Sequence, residues 1–174
     1  MKDYKILFAD LDGTLIKTKS GETFPKGIWD MEFRFEVLDT IKKMQPLALL
    51  IISNQGGVES GFVNRRNFEF KMEYIIRSIK EYTGVFVEYS CCYSNDKSDQ
   101  YRKPNTGMLN SLFYRVQNKW FKGEHITYDE DCLMIGDASG KKGQFSDTDK
   151  KTAENFGIDY MDVDDFVEQI NLED

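Results

Sequence analysis

Ile6-Leu7-Phe8-Ala9-Asp10-Leu11-Asp12-Gly13-Thr14-Leu15 decides the fold. Its uncharged apolar start reads as a strand covered on both faces, which belongs in a parallel sheet. Ligands of open parallel sheets gather at the carboxyl ends of the strands, and residues two apart on a strand point the same way. Asp10 and Asp12 can therefore reach one substrate. Two acids this close repel each other unless a cation or a shared proton lies between them, so the pair predicts a bound metal or a raised pKa. A nucleophile and a proton donor then hold separate roles, and the segment reads as a phosphoryl-transfer site. The plainer alternative is an Asp-rich turn bent at Gly13. A calcium loop of the EF-hand type is excluded, because Thr14 and Gly21 stand where such a loop needs acidic ligands.

Outward from this segment the chain alternates strand and helix. Apolar runs predict strands at residues 5–10, 47–53, 85–90, 132–137 and 158–161. Phe33, Val37, Ile41 and Met44 are spaced for one helical face. So are Phe68, Met72, Ile75, Ile79 and Tyr82, and again Leu109, Leu112, Phe113, Val116 and Trp120. These aromatic and methionine stripes read as core packing. Helices over residues 146–156, closed by Gly157, and over 164–170 complete the set. The alternation predicts an α/β fold, a three-layer α/β/α sandwich with a mainly parallel Rossmann-like sheet. No repeat, low-complexity tract or Pro/Gly-rich linker interrupts it, so one domain over residues 1–174 is expected.

At 174 residues and 40% hydrophobic, the chain can bury a core without disulfides or structural metal. Cys91 and Cys92 are adjacent and Cys132 is alone, which makes neither a disulfide framework nor a C-x-x-C metal knuckle. The first apolar run is broken at Asp10, too short for a signal peptide or a membrane span. A cytoplasmic protein with no membrane association is expected. The formal charge of −7 argues against broad, nonspecific coating of nucleic acid, while leaving room for a local basic site.

Further polar groups fall at strand ends or helix starts. The hydroxyl and backbone N–H groups of Ser53-Asn54-Gln55-Gly56, after the second strand, can hold phosphate oxygens. Lys103, in Arg102-Lys103-Pro104-Asn105-Thr106-Gly107, precedes the third helix and can neutralise phosphate charge. Asp137 ends the strand Leu133-Met134-Ile135-Gly136 and supplies a third carboxylate for a hard cation, with Asp149 farther on. Each has a plainer reading: a polar turn at Ser53-Asn54, a solvated loop pair at Arg102-Lys103, and a capping box from Ser146 to Asp149. Cysteine-phosphatase chemistry is excluded, because Lys97, Ser98 and Ala138 stand where a phosphate-clamping Arg would follow each Cys. His125, the sole histidine, lacks any motif and reads as a surface residue.

The ordered segments Asp10-Leu11-Asp12-Gly13-Thr14, Ser53-Asn54, Lys103-Pro104 and Gly136-Asp137 resemble the four motifs of the haloacid dehalogenase superfamily of aspartate-nucleophile phosphatases. Within it, several stretches look like the phosphatase domain of polynucleotide kinase 3′-phosphatases: Phe24-Pro25 with Trp29, Ser53 through Gly56, Tyr101 through Met108, Ile135 through Lys141, and Phe145-Ser146-Asp147-Thr148-Asp149 with Ala153 through Gly157. The resemblance runs from about Lys5 to Phe166. It implies a fold without a large cap domain, and a Mg²⁺-dependent phosphatase that removes 3′-phosphate from nucleic-acid ends. By resemblance, Asp10 attacks phosphorus and Asp12 is the general acid and then base. Asp10, the main-chain carbonyl of Asp12 and Asp137 hold Mg²⁺, with Asp149 behind them. Ser53, Asn54 and Lys103 bind the phosphoryl group, and Arg102 contacts it or the substrate backbone; all four are the implied phosphate-binding residues.

The implied partners are 3′-phosphorylated DNA or RNA ends, with a separate kinase or ligase acting alongside. No G-x-x-x-x-G-K-[ST] loop for a 5′-kinase occurs in the sequence. Where relatives have Thr, Arg and Asp, this chain has Ser53, Lys141 and Gln144. Ser keeps the hydroxyl, whereas Lys cannot reproduce a bidentate guanidinium contact. Lys141 and Lys142 read either as part of a positive path for the polynucleotide or as a solvated loop pair. The rival reading is a small-molecule phosphatase of the same superfamily, acting on histidinol phosphate or a heptose bisphosphate. Such enzymes resemble this chain less, because Cys91 through Lys97 lacks their Cys/His zinc-loop pattern. A noncatalytic end-binding module is a third reading, and the intact acid pair argues against it.

Overall fold

The computed structural model describes residues 2–22 and 25–171, so Phe24 of the Phe24-Pro25 pair lies outside the described residues. The chain runs β1 (Ile6–Ala9), β2 (Ile16–Thr18), a 3₁₀ turn (Ile28–Asp30), β3 (Met31–Phe33) and α1 (Phe35–Met44). It continues through β4 (Ala48–Asn54), α2 (Gly56–Glu59), α3 (Arg65–Thr83), β5 (Phe86–Cys92) and α4 (Gly107–Arg115). A π-helical turn (Val116–Trp120), α5 (Tyr128–Asp131), β6 (Cys132–Gly136), α6 (Thr148–Phe156), β7 (Asp159–Asp162) and α7 (Val163–Asn171) complete it.

Five strands form one parallel sheet in the order β5-β4-β1-β6-β7. β1 lies at its centre, paired Ile6↔Ala48 through Ala9↔Ile51 on one side and Ile6↔Cys132 through Ala9↔Ile135 on the other. Successive side chains of a strand alternate in direction, and both faces are filled accordingly. Leu7, Ala9, Leu49 and Ile51 pack with Val37 and Ile41 of α1, Phe68, Met72 and Ile75 of α3 and Phe166 of α7. Ile6, Phe8, Leu50 and Ile52 pack on the opposite face with Met108, Leu109 and Leu112 of α4 and Ala153 of α6. This is the three-layer α/β/α architecture.

The departures from the sequence reading are local. Phe33 belongs to β3, opposite Ile16, rather than to the first helix, which starts at Phe35. Its ring still reaches Tyr74 of α3, so the helical spacing recorded a real core contact made from a strand. The helix expected from residue 146 begins at Thr148. Trp120 ends the π-helical turn that follows α4 and packs on Phe86. The β2–β3 hairpin between β1 and α1 has no counterpart in the apolar pattern. Its connecting segment is organised by buried Asp30, whose carboxylate accepts the Ser20 N–H and hydroxyl at 2.8 Å each and the Lys26 N–H at 3.1 Å.

The chain crosses from β1 to β4 on one side, and from β6 to β7 on the other. The connections leaving β1 and β6 therefore diverge, and the crevice between their carboxyl ends is where an open parallel sheet places its ligand. Asp10, Asp12 and Asp137 follow these two ends.

Candidate active site

Asp10 extends β1, its N–H bonding the Ile135 carbonyl of β6 at 3.1 Å. The chain then winds into a tight turn in which the Leu11 carbonyl accepts the N–H groups of Thr14, Leu15 and Ile16. Gly13 has φ +86°, and a Cβ there would lie 2.0 Å from Asp137 Oδ2, so only glycine lets the two strand ends close on each other. Arg34, at the start of α1, braces this turn by donating to the Gly13 carbonyl at 2.8 Å.

Lys103 is buried at the centre of the site. Its ammonium donates to Asp10 Oδ1 and to Asp149 Oδ1 at 2.6 Å each. Asn54 explains how the loop delivers it there. The Asn54 side chain accepts the Lys103 N–H at 2.9 Å and donates to the Lys103 carbonyl at 3.1 Å, pairing with that residue's backbone on both sides. Asn54 is thus spent on positioning Lys103. Asp149 sits in the first turn of α6 and returns to the end of β6, where its Oδ2 accepts the Ala138 N–H at 3.2 Å. Ser146 accepts the Thr148 N–H instead, and no capping box forms with Asp149. A Cβ on Gly136 would meet Asp149 Oδ2 at 2.4 Å, so a second glycine keeps this approach open.

Asp12 turns toward β4. Its Oδ2 accepts from Gln55 Nε2 at 2.7 Å, and the same nitrogen donates to Ser53 Oγ at 2.8 Å. Asp12 Oδ1 is buried without a hydrogen-bond partner. Arg102 does not enter the acid cluster; its guanidinium donates to the Ser94 carbonyl at 2.7 Å. Lys141 is likewise engaged elsewhere, with Asp165 at 2.7 Å and Asp162 at 3.3 Å. Gln144 holds the same region together, accepting from Ser139 and donating to Asp162 at 2.7 Å, a donation that an aspartate could not make. The exposed His125 lends only its carbonyl, to Lys5.

The electrostatics show a cluster short of positive charge. Burial pushes the Asp10 carboxyl well above the usual range; Lys103 opposes this, and Asp149 and Asp137 add to it. Burial, reinforced by Asp149, pushes Asp137 up to about 6. Burial also raises Asp12, against the Lys71 ammonium and the Gln55 hydrogen bond. Burial alone would pull Lys103 down, but Asp10 and Asp149 outweigh it and hold the ammonium protonated. Asp10, Asp137 and Asp149 each offer an oxygen, all within 4.8 Å of one another. Hard oxygen donors with excess negative charge fit a hard divalent cation such as Mg²⁺. Asp149, expected behind the ligands, contributes one of these three oxygens. Cys91 faces the acids, and burial with the nearby Asp12 and Asp10 pushes its thiol far above the reactive range.

A cleft of about 1080 Å³ opens beside Asp12, between residues 25–29 and the stretch from Asn54 to Lys71. Trp29, Phe62 and Phe70 line it with rings exposed by 69%, 88% and 54%, and Lys26 and Lys71 supply positive charge. Sequence reasoning assigned no role to the side chains of Gln55 and Lys71, and the Gln55 N–H that it offered to phosphate donates to the Cys92 carbonyl. Lys71 carries a signal, since it is a charge three residues from Phe68 and beside Met72, at the edge of an apolar helical stripe. Gln55 carries none beyond adjacency to Ser53 and Asn54.

A parallel sheet with an Asp-x-Asp pair after its central strand and a lysine and acids from neighbouring loops has the fold of the HAD-like phosphatases. The family model described as Polynucleotide kinase 3 phosphatase matches residues 5–167, and the chain belongs to that family. It is 35% identical over 170 residues to the bifunctional polynucleotide phosphatase/kinase of Schizosaccharomyces pombe, covering 95% of this chain and 38% of that protein. This chain therefore spans well under half of that relative. It is 32% identical over 180 residues to an uncharacterized 20.8 kDa protein of Autographa californica nuclear polyhedrosis virus, covering 99% and 90%. In fold it resembles the D,D-heptose 1,7-bisphosphate phosphatase of B. bronchiseptica, solved with magnesium and phosphate. The TM-score is 0.65 at 18% identity, and both chains are covered in full.

Proposed function

We propose that this protein is a Mg²⁺-dependent polynucleotide 3′-phosphatase that leaves a 3′-hydroxyl for a polymerase or ligase. The carrying observation is the division of labour between the two acids. Asp10 is held by an ammonium that neutralises it and an incoming phosphate, whereas Asp12 is held by an amide that leaves one oxygen unbonded.

In the first step an Asp10 oxygen bonds to phosphorus, and the bond from phosphorus to the leaving 3′-oxygen breaks. Asp12 gives its proton to that oxygen, yielding the alcohol. In the second step Asp12 takes a proton from water as the water oxygen attacks phosphorus. The bond to Asp10 breaks, and phosphate and both starting groups are restored. Lys103 and the Ser53 hydroxyl counter the charge of the transferred group, which is the main demand of phosphoryl transfer. Asp10, Asp137 and the main-chain carbonyl of Asp12 would hold Mg²⁺, with Asp149 as a further donor. That ion supplies charge neutralisation at the phosphoryl oxygens.

Two observations support a polynucleotide as substrate. The family match is to polynucleotide phosphatases. The cleft beside Asp12 also presents aromatic faces with lysines, the combination that stacks bases and tracks a phosphate backbone. Arg102 and Lys141 are engaged with Ser94, Asp162 and Asp165.

The test is phosphate release from 3′-phosphorylated DNA and RNA oligonucleotides, compared with nucleoside 3′-monophosphates, histidinol phosphate and heptose bisphosphate. Oligonucleotides are expected to give the highest kcat/KM. Efficient turnover of a sugar phosphate or histidinol phosphate with none on any oligonucleotide would establish the small-molecule reading. Binding of oligonucleotides without turnover of any ester would establish the noncatalytic one.

A further inference from the structure

We propose that Gln55 is a positioning residue that decides which oxygen of Asp12 carries the catalytic proton, and that it turns the Ser53 hydroxyl toward the substrate with the same amide group. The inference rests on the assignment of Asp12 as general acid.

Gln55 is itself firmly placed. It follows β4 directly, and its N–H donates to the Cys92 carbonyl at the end of β5 at 2.7 Å. A primary amide nitrogen carries two hydrogens, and both are committed here, one to Asp12 Oδ2 at 2.7 Å and one to Ser53 Oγ at 2.8 Å. In a protonated carboxyl, the oxygen that accepts a hydrogen bond is the carbonyl oxygen, and the proton sits on the other. Gln55 therefore assigns Oδ2 as acceptor and leaves Oδ1 as the O–H.

The structure keeps that second oxygen clear. Among the described residues, Asp12 Oδ1 is one of two buried side-chain polar atoms with no partner, the other being Thr14 Oγ1. Leaving a buried polar atom unmade costs about 1–3 kcal/mol, so such atoms are retained where a ligand group completes them. Asp12 also lines the open cleft, from which a leaving oxygen arrives. Ser53 is governed in the same way. Its oxygen already accepts from Gln55, so its hydrogen is the free half of the hydroxyl, available to a phosphoryl oxygen.

A group that only orients a general acid matters in proportion to how much the leaving group needs a proton. An alkoxide needs it and p-nitrophenolate does not, so the two esters separate orientation from general damage to the site. The test compares kcat/KM, which reports the step that expels the leaving group, for wild type, Gln55→Met and Gln55→Glu. The substrates are p-nitrophenyl phosphate and the best alkyl phosphate of the wild-type enzyme, whichever that is. Each variant is first checked for a wild-type melting temperature, and Gln55→Glu serves if Gln55→Met does not fold.

With the alkyl ester kcat/KM is expected to fall about 100-fold or more, within the usual contribution of a general acid, and with p-nitrophenyl phosphate by no more than about tenfold, the share common to both esters that reports the Ser53 hydroxyl. An equal fall on both esters, or no fall on the alkyl ester, overturns the inference. Because the wild type chooses the alkyl ester, a failure of the polynucleotide reading shows as inactivity on oligonucleotides. A failure of the Gln55 inference shows in the ratio of the two losses.

Discussion

At the scale of single residues, the site rests on two carboxylates in different surroundings. Asp10 meets an ammonium and Asp12 an amide. Asn is nearly isosteric with Asp but neither attacks phosphorus nor carries the proton, so Asp10→Asn and Asp12→Asn should fold normally. Turnover is expected to fall by at least about 100-fold in each. Phosphate release with Mg²⁺ present, beside a thermal melt, checks both; a wild-type rate in either would remove the role assigned to that residue. Lys103→Met should act differently. Removing one partner of a buried ion cluster leaves charges uncompensated, which costs about 3–5 kcal/mol and lowers the melting temperature of a domain this size by roughly 6–20 °C. Differential scanning calorimetry would detect that loss, and an unchanged melt would show that the Lys103 contacts with Asp10 and Asp149 contribute nothing net.

At the scale of elements, the sequence carried the sheet far better than it carried what surrounds the site. β1, β4 and β6 were legible because a strand covered on both faces must be apolar throughout, and their ends placed Asp10, Ser53 and Asp137 at one edge. Apart from the motif resemblance, Lys103 was legible as a charge before a helix. Its burial depends on the two-sided grip of Asn54 on its backbone, a contact across 49 residues that no local pattern encodes. The β2–β3 hairpin was illegible for another reason: it is held by the carboxylate of Asp30, and polar organisation leaves no apolar period to read. The aromatic cleft joins residues 25–29 to α3 and the turn before it, so it existed in the sequence only as scattered rings. Phe62 and Phe70 can now be tested together. A stacked base is worth about 1–3 kcal/mol, so Phe62→Ala and Phe70→Ala should each raise KM for a 3′-phosphorylated oligonucleotide by roughly 5- to 150-fold. KM for p-nitrophenyl phosphate should stay level. Equal effects on the two substrates would remove these rings from the substrate path.

At the scale of the whole molecule, the acid cluster couples stability to pH and to metal. An acid whose pKa is higher folded than unfolded binds more protons in the native state between the two values, so stability falls as pH rises through that window. For Asp137 the window runs from 3.8 to about 6, and Asp10 and Asp12 shift in the same direction. Metal-free protein should therefore melt lower at pH 7 than at pH 5. Mg²⁺ should raise the melting temperature more at pH 7, where protons no longer compete for the carboxylates. Melts at the two pH values with EDTA and with Mg²⁺ check this, and a metal-free protein more stable at pH 7 would contradict it. Among the described residues no helix is long and apolar enough to cross a membrane. The central place of β1 has one more consequence, for how the chain acquires its structure. Both neighbours of β1 are remote in sequence, the first at Ala48–Asn54 and the second at Cys132–Gly136. Non-local pairing of this kind must close long loops before any contact rewards it, which makes assembly slow. During synthesis β1 waits with one edge unpaired until the roughly 120 residues that separate it from β6 have been made, so the segment bearing Asp10 is enclosed late.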